Sequence, residues 1–338
     1  MTRPLVAIDD GYAQIKLFGD NPAGGDPIRL SFRTSVRSGR GGLTSMDGGS
    51  SDSYRTEEGE EFTVSDSVAG ENTQFDSFHT STMNRVLVQH GLLKGGYGGL
   101  EVDLITGLPV ADYFSSGEMD EAKIEAKTAN LLKGLERIGR ATPLARIANV
   151  EIGCQAVAAW VDYALDDDLE NKVDLSKRIA IVDIGGRTTD IAVVVNGSQI
   201  DHDLSGTANV GVLDVYKALQ HSIRARFGIR DAFPIAMLDK AVRAKTLELW
   251  GNDEDVSDLV AAAIAEIVPK VEREIERRLG DAASIFKVVF VGGGGALFRD
   301  IPERRLRNGH LPDDPEFSNA RGLWKFSRLR EKLASDAA

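Results

Sequence analysis

Short apolar runs recur along the chain, each closed by glycine or followed by a helical pattern, in the alternation that builds α/β layers. Residues 4–9 read as a strand. A glycine turn follows, and 15–18 resume the apolar run, which predicts a hairpin folded over Gly11. Residues 37–60 are rich in glycine, serine and charge. They are expected to form a loop inside the first lobe, with two adjacent hairpin strands as the other reading. Met83, Val86, Leu87, His90 and Leu93 fall near helical spacing, so 80–94 is expected to be a helix, stopped by the GGYGG that follows. After it come a buried strand VDLITGLP, an amphipathic helix near 119–137, a strand around 146–152 and a helix over 155–165. The acidic run 166–170 reads either as a hinge between lobes or as a solvated helix end.

The second half opens on IAIVDIGGRTTDIAVVVNGSQI, two β-rich runs around a glycine turn, with Asn196-Gly197 as a hairpin signal. A helix near 211–227 follows. Val256, Val260, Ile264, Ile267, Val271, Ile275 and Leu279 then make one long helical stripe, which Pro269 should kink or divide. VVFVGGGGALF at 288–298 is a further strand, glycine loop and helix start. The tail holds a basic stretch, 299–307, and a last segment, 322–333, expected as a helix packed back on the first lobe.

A chain of 338 residues suits two α/β lobes better than one core. The expected division is 1–174 plus 303–338 for the first lobe and 175–302 for the second. With 40 Lys+Arg against 52 Asp+Glu the net charge is -12, which disfavours a general grip on a nucleic-acid backbone and makes any link to DNA indirect. No stretch offers the ~20 continuous apolar residues of a membrane helix, so the chain reads as soluble and unsecreted, with no membrane partner. Its single cysteine, Cys154, excludes an internal disulfide and a cysteine-based zinc cluster, which suits the reducing cytosol.

The turns carry the chemistry. A strand–turn–strand unit with glycine at the bend lets backbone N–H groups approach phosphate oxygens, and a carboxylate at the strand end can hold a metal-bound water. Asp9 and Asp183 occupy that position in the two turns, and Gly292, Gly293 and Gly294 open a third loop. Lys16, seven residues after Asp9, could return on the second strand as a compact positive charge.

The set Asp9-Asp10-Gly11 with Lys16, the junction at Gln155, Asp183-Ile184-Gly185-Gly186 with Thr188, Thr189 and Asp190, and Gly292-Gly293-Gly294 resembles the superfamily of actin, sugar kinases and heat-shock chaperone ATPases. NRVLVQHGLL, EVDLITGLPVADYF, EAKIEAKTANLLKG and SGTANVGVLDVYKAL extend the likeness over nearly the whole chain to the ParM/StbA family of plasmid-segregating bacterial actins. That resemblance implies an α/β, two-lobed ATPase fold, each lobe a mixed sheet flanked by helices, with ATP or GTP and Mg²⁺ in the cleft between them. It implies that Asp9 and Asp183 orient the metal's water shell, that Gly11, Gly185 and Gly186 wrap the phosphates, and that Lys16 touches them. Gly293 and Gly294 would admit adenine and ribose beside Gly292, and Thr188 would lie by the phosphates. Gln155 stands where ParM has Glu and actin has Gln, to orient the attacking water. Glu151, four residues upstream, is the alternative, although the strand's alternation turns it toward solvent. Tyr12 is bulky where the family carries a small hydroxyl residue. Arg187 also replaces a small residue, and would either add charge near the phosphates or point to solvent. The implied partners are further copies in a head-to-tail filament, a ParR-like adaptor and, through it, plasmid centromere DNA, in the bacterial cytoplasm. Two other readings share the loops: a sugar kinase, and a scaffold that binds ATP without turning it over.

Overall fold

The computed structural model describes residues 3–41, 52–65, 70–139 and 142–336. Its first sheet runs in the order Arg146–Cys154, Glu101–Leu108, Leu5–Asp10, Gln14–Gly19, Ile28–Arg33. Leu5–Asp10 lies at the centre and is buried throughout, as a continuous apolar run should be when both faces are covered. Its alternate side chains serve two cores. Val6 and Ile8 pack with Val86 and Leu87 of the helix Thr82–Lys94, whereas Leu5 and Ala7 meet Ala158 and Leu323 on the other face. The hairpin over Gly11 is as expected, and its antiparallel register sets Asp9 opposite Lys16.

A small second sheet, ordered Leu135–Arg137, Asp52–Thr56, Glu61–Val64, Val36–Ser38, takes up the described part of the 37–60 stretch. There the hairpin reading holds, with Asp52–Thr56 antiparallel to Glu61–Val64. Residues 42–51 of that stretch lie outside the described set. The helix expected to 137 ends at Leu132, because the chain turns at Gly134 and spends Leu135–Arg137 pairing with Asp52–Thr56.

The third sheet is ordered Gln199–Ile200, Thr189–Val195, Ile179–Ile184, Lys287–Val291, Gly309–His310. Val182 and Ile184 face Val215, Leu219 and Ile275 of the helices Val212–Phe227 and Ser257–Leu279, while Ile181, Val194 and Val289 pack on Ala156 and Trp160 of the helix Gln155–Ala164. That last helix therefore sits between the first and third sheets. The stripe of Ser257–Leu279 is buried as expected, yet Pro269 does not divide the helix. Pro269 is exposed, and the buried residues Ile267, Val271 and Ile275 on either side hold the turns that its missing N–H would loosen. After Val291 the glycine cluster forms turns rather than a helix start, and only Asp300–Arg304 is helical. The third sheet continues past residue 302 through Gly309–His310, which pairs parallel to Lys287–Val291.

The chain then crosses back as the helix Ser318–Asp336, whose Leu323 is buried and whose Phe326 and Leu329 pack on the core beside Trp160. Gly322 makes this crossing possible, since a Cβ there would overlap the carbonyl oxygen of Ala158. Gly322→Val is expected to cost about 1–3 kcal/mol or more by overpacking, read as a lowered midpoint in urea. An unchanged midpoint would show that the two helices are not seated against each other. Among the described residues no helix is long and apolar enough to cross a membrane.

Candidate functional site

The two glycine turns meet. Gly186 lies so close to the first hairpin that a Cβ on it would stand 2.6 Å from the Cβ of Ala13 and 2.8 Å from its backbone nitrogen, so only glycine lets the loops touch. The second turn is fixed from behind, where the N–H groups of Val212 and Leu213 at the start of a helix donate to the Gly185 and Gly186 carbonyls at 3.0 and 2.9 Å. The first is held by Thr34, whose hydroxyl donates to the Gly11 carbonyl at 2.7 Å. Gly292 has a φ of +82° and packs against the Asp183 carboxylate, where a side chain would collide. Beside it, the Gly294 N–H donates to the Ile184 carbonyl at 2.8 Å, which ties the third loop to the second.

Between these loops runs a cleft of about 600 Å³, counting its opening to solvent. Of the residues anticipated from sequence, Asp9, Gly11, Tyr12, Lys16, Gln155, Asp183, Gly185, Gly186, Thr188 and Gly293 line it. Asp9 is buried and accepts from Lys16 Nζ at 2.9 Å and from Gln155 Nε2 at 3.1 Å. Gln155 is the first residue of its helix, directly after the strand Arg146–Cys154, so the strand end delivers its amide into the cleft. Burial is the chief force on Lys16 and would lower its pKa, but the carboxylate of Asp9 outweighs it and raises the value. Asp183 accepts from Asn319 Nδ2 at 2.8 Å, while its Oδ1 and the Oδ1 of Asn319 are buried with no donor. Burial first, then the charges of Asp9 and Asp190, push the Asp183 carboxyl up to about 7. Thr188 donates to Asp190 at 2.9 Å, and Asp190 in turn accepts from the Val110 N–H at 2.9 Å.

Gly292 and Gly294 sit behind the lining, packed on Asp183 and Ile184, and two anticipated residues lie elsewhere. Glu151 is paired with Arg330 of the C-terminal helix, on the outer side of the first sheet and away from the cleft. Arg187 neither lines the cleft nor hangs free in solvent. It reaches Asp76 at 2.5 Å, with its guanidinium 5.3 Å from the Tyr12 ring centroid. Tyr12 is itself wedged between Phe78 and His79, at 5.1 and 4.9 Å between ring centroids. The two bulky departures from the family pattern are thus one feature, an aromatic–arginine strap from the second turn to the first.

Other cleft residues gave no signal in the sequence. Arg33, on the strand Ile28–Arg33, forms an ion pair with Asp239 of the helix Ile235–Ala244, and Asp239 also accepts from Tyr216 Oη at 2.6 Å. Behind Asp9, Asp10 is fully buried and accepts from Lys127 Nζ at 2.7 Å, Asn84 Nδ2 at 2.6 Å and Thr106 Oγ1 at 2.8 Å. Burial alone would raise its pKa, but Lys127 and His79 hold it well below the usual carboxylate range. The doubled Asp9-Asp10 was visible in the sequence, whereas its cationic partner is 117 residues distant.

Two sheets with glycine turns closing on one cleft that holds Asp9 and Asp183, and a helix shared between them, define the class: an actin-like, two-lobed α/β fold. Residues 5–162 match the family described as plasmid segregation protein ParM, N-terminal, and residues 181–301 match the archaeal actin homologue MreB-like, C-terminal. Within that class the first half of the chain is thus similar to the ParM type and the second half to the MreB-like type. No curated protein matches it by sequence. Among solved structures, a 15-stranded ParM filament from Clostridium botulinum is similar with a TM-score of 0.74 at 17% identity, covering 97% of this chain and 100% of that one. The archaeal actin homolog Ta0583 in complex with ADP is similar with a TM-score of 0.74 at 20% identity, covering 96% and 99%. The actin-like protein Alp7A is similar with a TM-score of 0.74 at 14% identity, covering 98% of each chain.

Proposed function

We propose that this protein binds Mg-ATP or Mg-GTP between its lobes, hydrolyses it, and polymerises head to tail into filaments that move plasmid DNA through a ParR-like adaptor in the bacterial cytoplasm. The observation that carries the reading is the meeting of the two turns at Gly186 and Ala13, with Asp9 and Asp183 on one cleft. The lobes in this reading are 1–174 with the C-terminal helix, and 175 through the strand Gly309–His310.

The residues fit a hydrated cation. Asp183 Oδ1 and Asn319 Oδ1 are buried acceptors with no donor. Among the described residues no group of three or more His, Cys, Asp and Glu could hold a bare ion, and Mg²⁺ characteristically keeps its waters and binds through phosphates and one or two carboxylates. Asp9 and Asp183 would hold that water shell, and the bound ion would neutralise phosphate charge. Gly11, Gly185 and Gly186 present backbone to the phosphates, Lys16 adds a point charge beside them, and Gly293, held by Gly292 and Gly294 packed on Asp183 and Ile184, leaves room for base and ribose. Gln155, held by Asp9, orients the attacking water. A nucleotide contacting both turns favours the closed shape, and closure completes the surface on which the next copy adds. Loss of the γ-phosphate removes one bridge and loosens the polymer. Arg187 acts here as a strap between lobes, its charge neutralised by Asp76.

The test is sedimentation with Mg²⁺ and ATP, ADP or no nucleotide, with phosphate release followed in the same tube. Nucleotide-dependent pelleting with release supports the proposal. ADP formation that needs an added sugar, without phosphate release or pelleting, indicates a kinase, and nucleotide binding with neither turnover nor pelleting indicates a scaffold. Gln155→Ala is expected to slow release by roughly 10²-fold while pelleting with ATP persists. Release at the native rate would remove Gln155 from the chemistry.

A further inference from the structure

The most exposed large apolar side chain among the described residues is Trp250, at 73%. It sits at the tip of a two-stranded hairpin, Thr246–Leu249 and Asn252–Asp255, whose register pairs Leu249 with Asn252 and leaves Trp250-Gly251 as a two-residue turn. Both turn residues are left-handed, with φ of 50° and 80°. Such turns favour asparagine, aspartate or glycine at the first position, and a bulky aromatic there is strained. The fold thus bears backbone strain to hold an indole in water, and strain at an exposed tip points to use. Among the described residues the indole's one ring contact is Phe227, at 6.3 Å between centroids, which does little to repay it. The hairpin is firmly based, because Leu247 and Leu249 are buried in the core.

The tip is also acidic. Glu248, Asp253 and Asp255 on the hairpin are exposed, while Asp258 just beyond it is held by Arg226. Elsewhere in the same half of the chain lies the opposite charge: Arg299, Arg304, Arg305 and Arg307 are all exposed. Arg304 and Arg305 reach Asp300 and Glu272, whereas Arg299 and Arg307 have no ion-pair partner among the described residues. None of the four meets a carboxylate of the hairpin. An aromatic knob ringed by carboxylates and an arginine strip are complementary, yet they do not join within one molecule.

We propose that the Trp250 tip docks on the arginine strip at 299–307 of a second copy of this chain, forming the repeating head-to-tail contact. This rests on the filament reading above and names its surfaces. The indole stacks on a guanidinium, the carboxylates pair with the remaining arginines, and the contact, being between two different patches, repeats without closing. Tryptophan and arginine at a desolvated centre are the residues on which binding energy concentrates.

Two variants test it, Trp250→Ala and the double variant Arg299→Glu, Arg307→Glu, each checked by circular dichroism and thermal melting for an intact fold. Each alone is expected to raise the critical concentration for pelleting in Mg-ATP by roughly thirtyfold or more. Mixed in equal amounts, they retain one good tip and one good strip between them, so sedimentation velocity should show a dimer that neither gives alone. In the native protein, Trp emission should shift to the blue on assembly. Variants that pellet at the native concentration would overturn the docking proposal and leave the filament reading standing. Native protein that fails to pellet with any nucleotide would overturn the filament reading itself.

Discussion

Asp183→Asn protein is expected to release no phosphate above background in Mg²⁺ and ATP, and yet to melt higher than the native protein at pH 8 when both are free of nucleotide and metal. The two effects have one cause. Asp183 is buried beside Asp9 and Asp190, and burial together with those charges lifts its carboxyl to about 7 from 3.8. Because the folded value lies above the unfolded one, the group favours the fold fully below pH 4, and that contribution disappears as pH climbs through 7. Across that window the cost of ionising it amounts to about 4 kcal/mol, taking 1.36 kcal/mol for each pKa unit. Asparagine never ionises, so the stability gain should be present at pH 8 and fade toward pH 4. A cation in the cleft should cancel the native protein's handicap by supplying the missing positive charge. Thermal melts at pH 5 and 8, with and without Mg-ADP, read all of this. A variant that releases phosphate normally, or melts lower than the native protein at pH 8, would remove Asp183 from the role assigned to it.

Lys127→Met is expected to be among the most destabilising single changes outside the cleft, at about 3–5 kcal/mol, because it leaves the Asp10 carboxylate buried without its cation. Lys127 Nζ lies 2.9 and 2.7 Å from the two oxygens of Asp10 and 2.5 Å from the Gly107 carbonyl, and both side chains are fully buried. The pair also gives the fold an acid limit. Since Asp10 is held below its usual range, its contribution is complete above about pH 4 and is lost as pH falls further. The double variant Asp10→Leu, Lys127→Met should recover part of the loss, since it removes both buried charges together but leaves Asn84 and Thr106 without their acceptor. Urea unfolding of the three variants is the measurement. A loss below about 1 kcal/mol for Lys127→Met would place the pair in a wetter setting than the fold shows, as for exposed ion pairs.

Much of this molecule was legible before its fold was known. The strands at 5–8 and 179–182 announce themselves as unbroken apolar runs, because both their faces are covered. The helix Ser257–Leu279 is written in its stripe, and the three glycine loops mark where backbone must come close. Where local reading stopped short, a distant partner decided. Residues 135–137 leave a helix to pair with 52–56, and Pro269 is carried by the buried side chains around it. Glu151 belongs to Arg330, 179 residues on.

The sequence by itself determined most of the long elements and their order, and which turns would bear Asp9 and Asp183, because burial pattern and turn chemistry are local properties of a chain. Only the tertiary structure decided which side chains share the cleft and in what charge state. Asn319 reaches Asp183 across 136 positions, Arg187 straps Tyr12 rather than facing the cleft, and Lys127 neutralises Asp10. Those pairings depend on distance in space and on loss of water around each group, and neither is encoded in the spacing of residues along the chain.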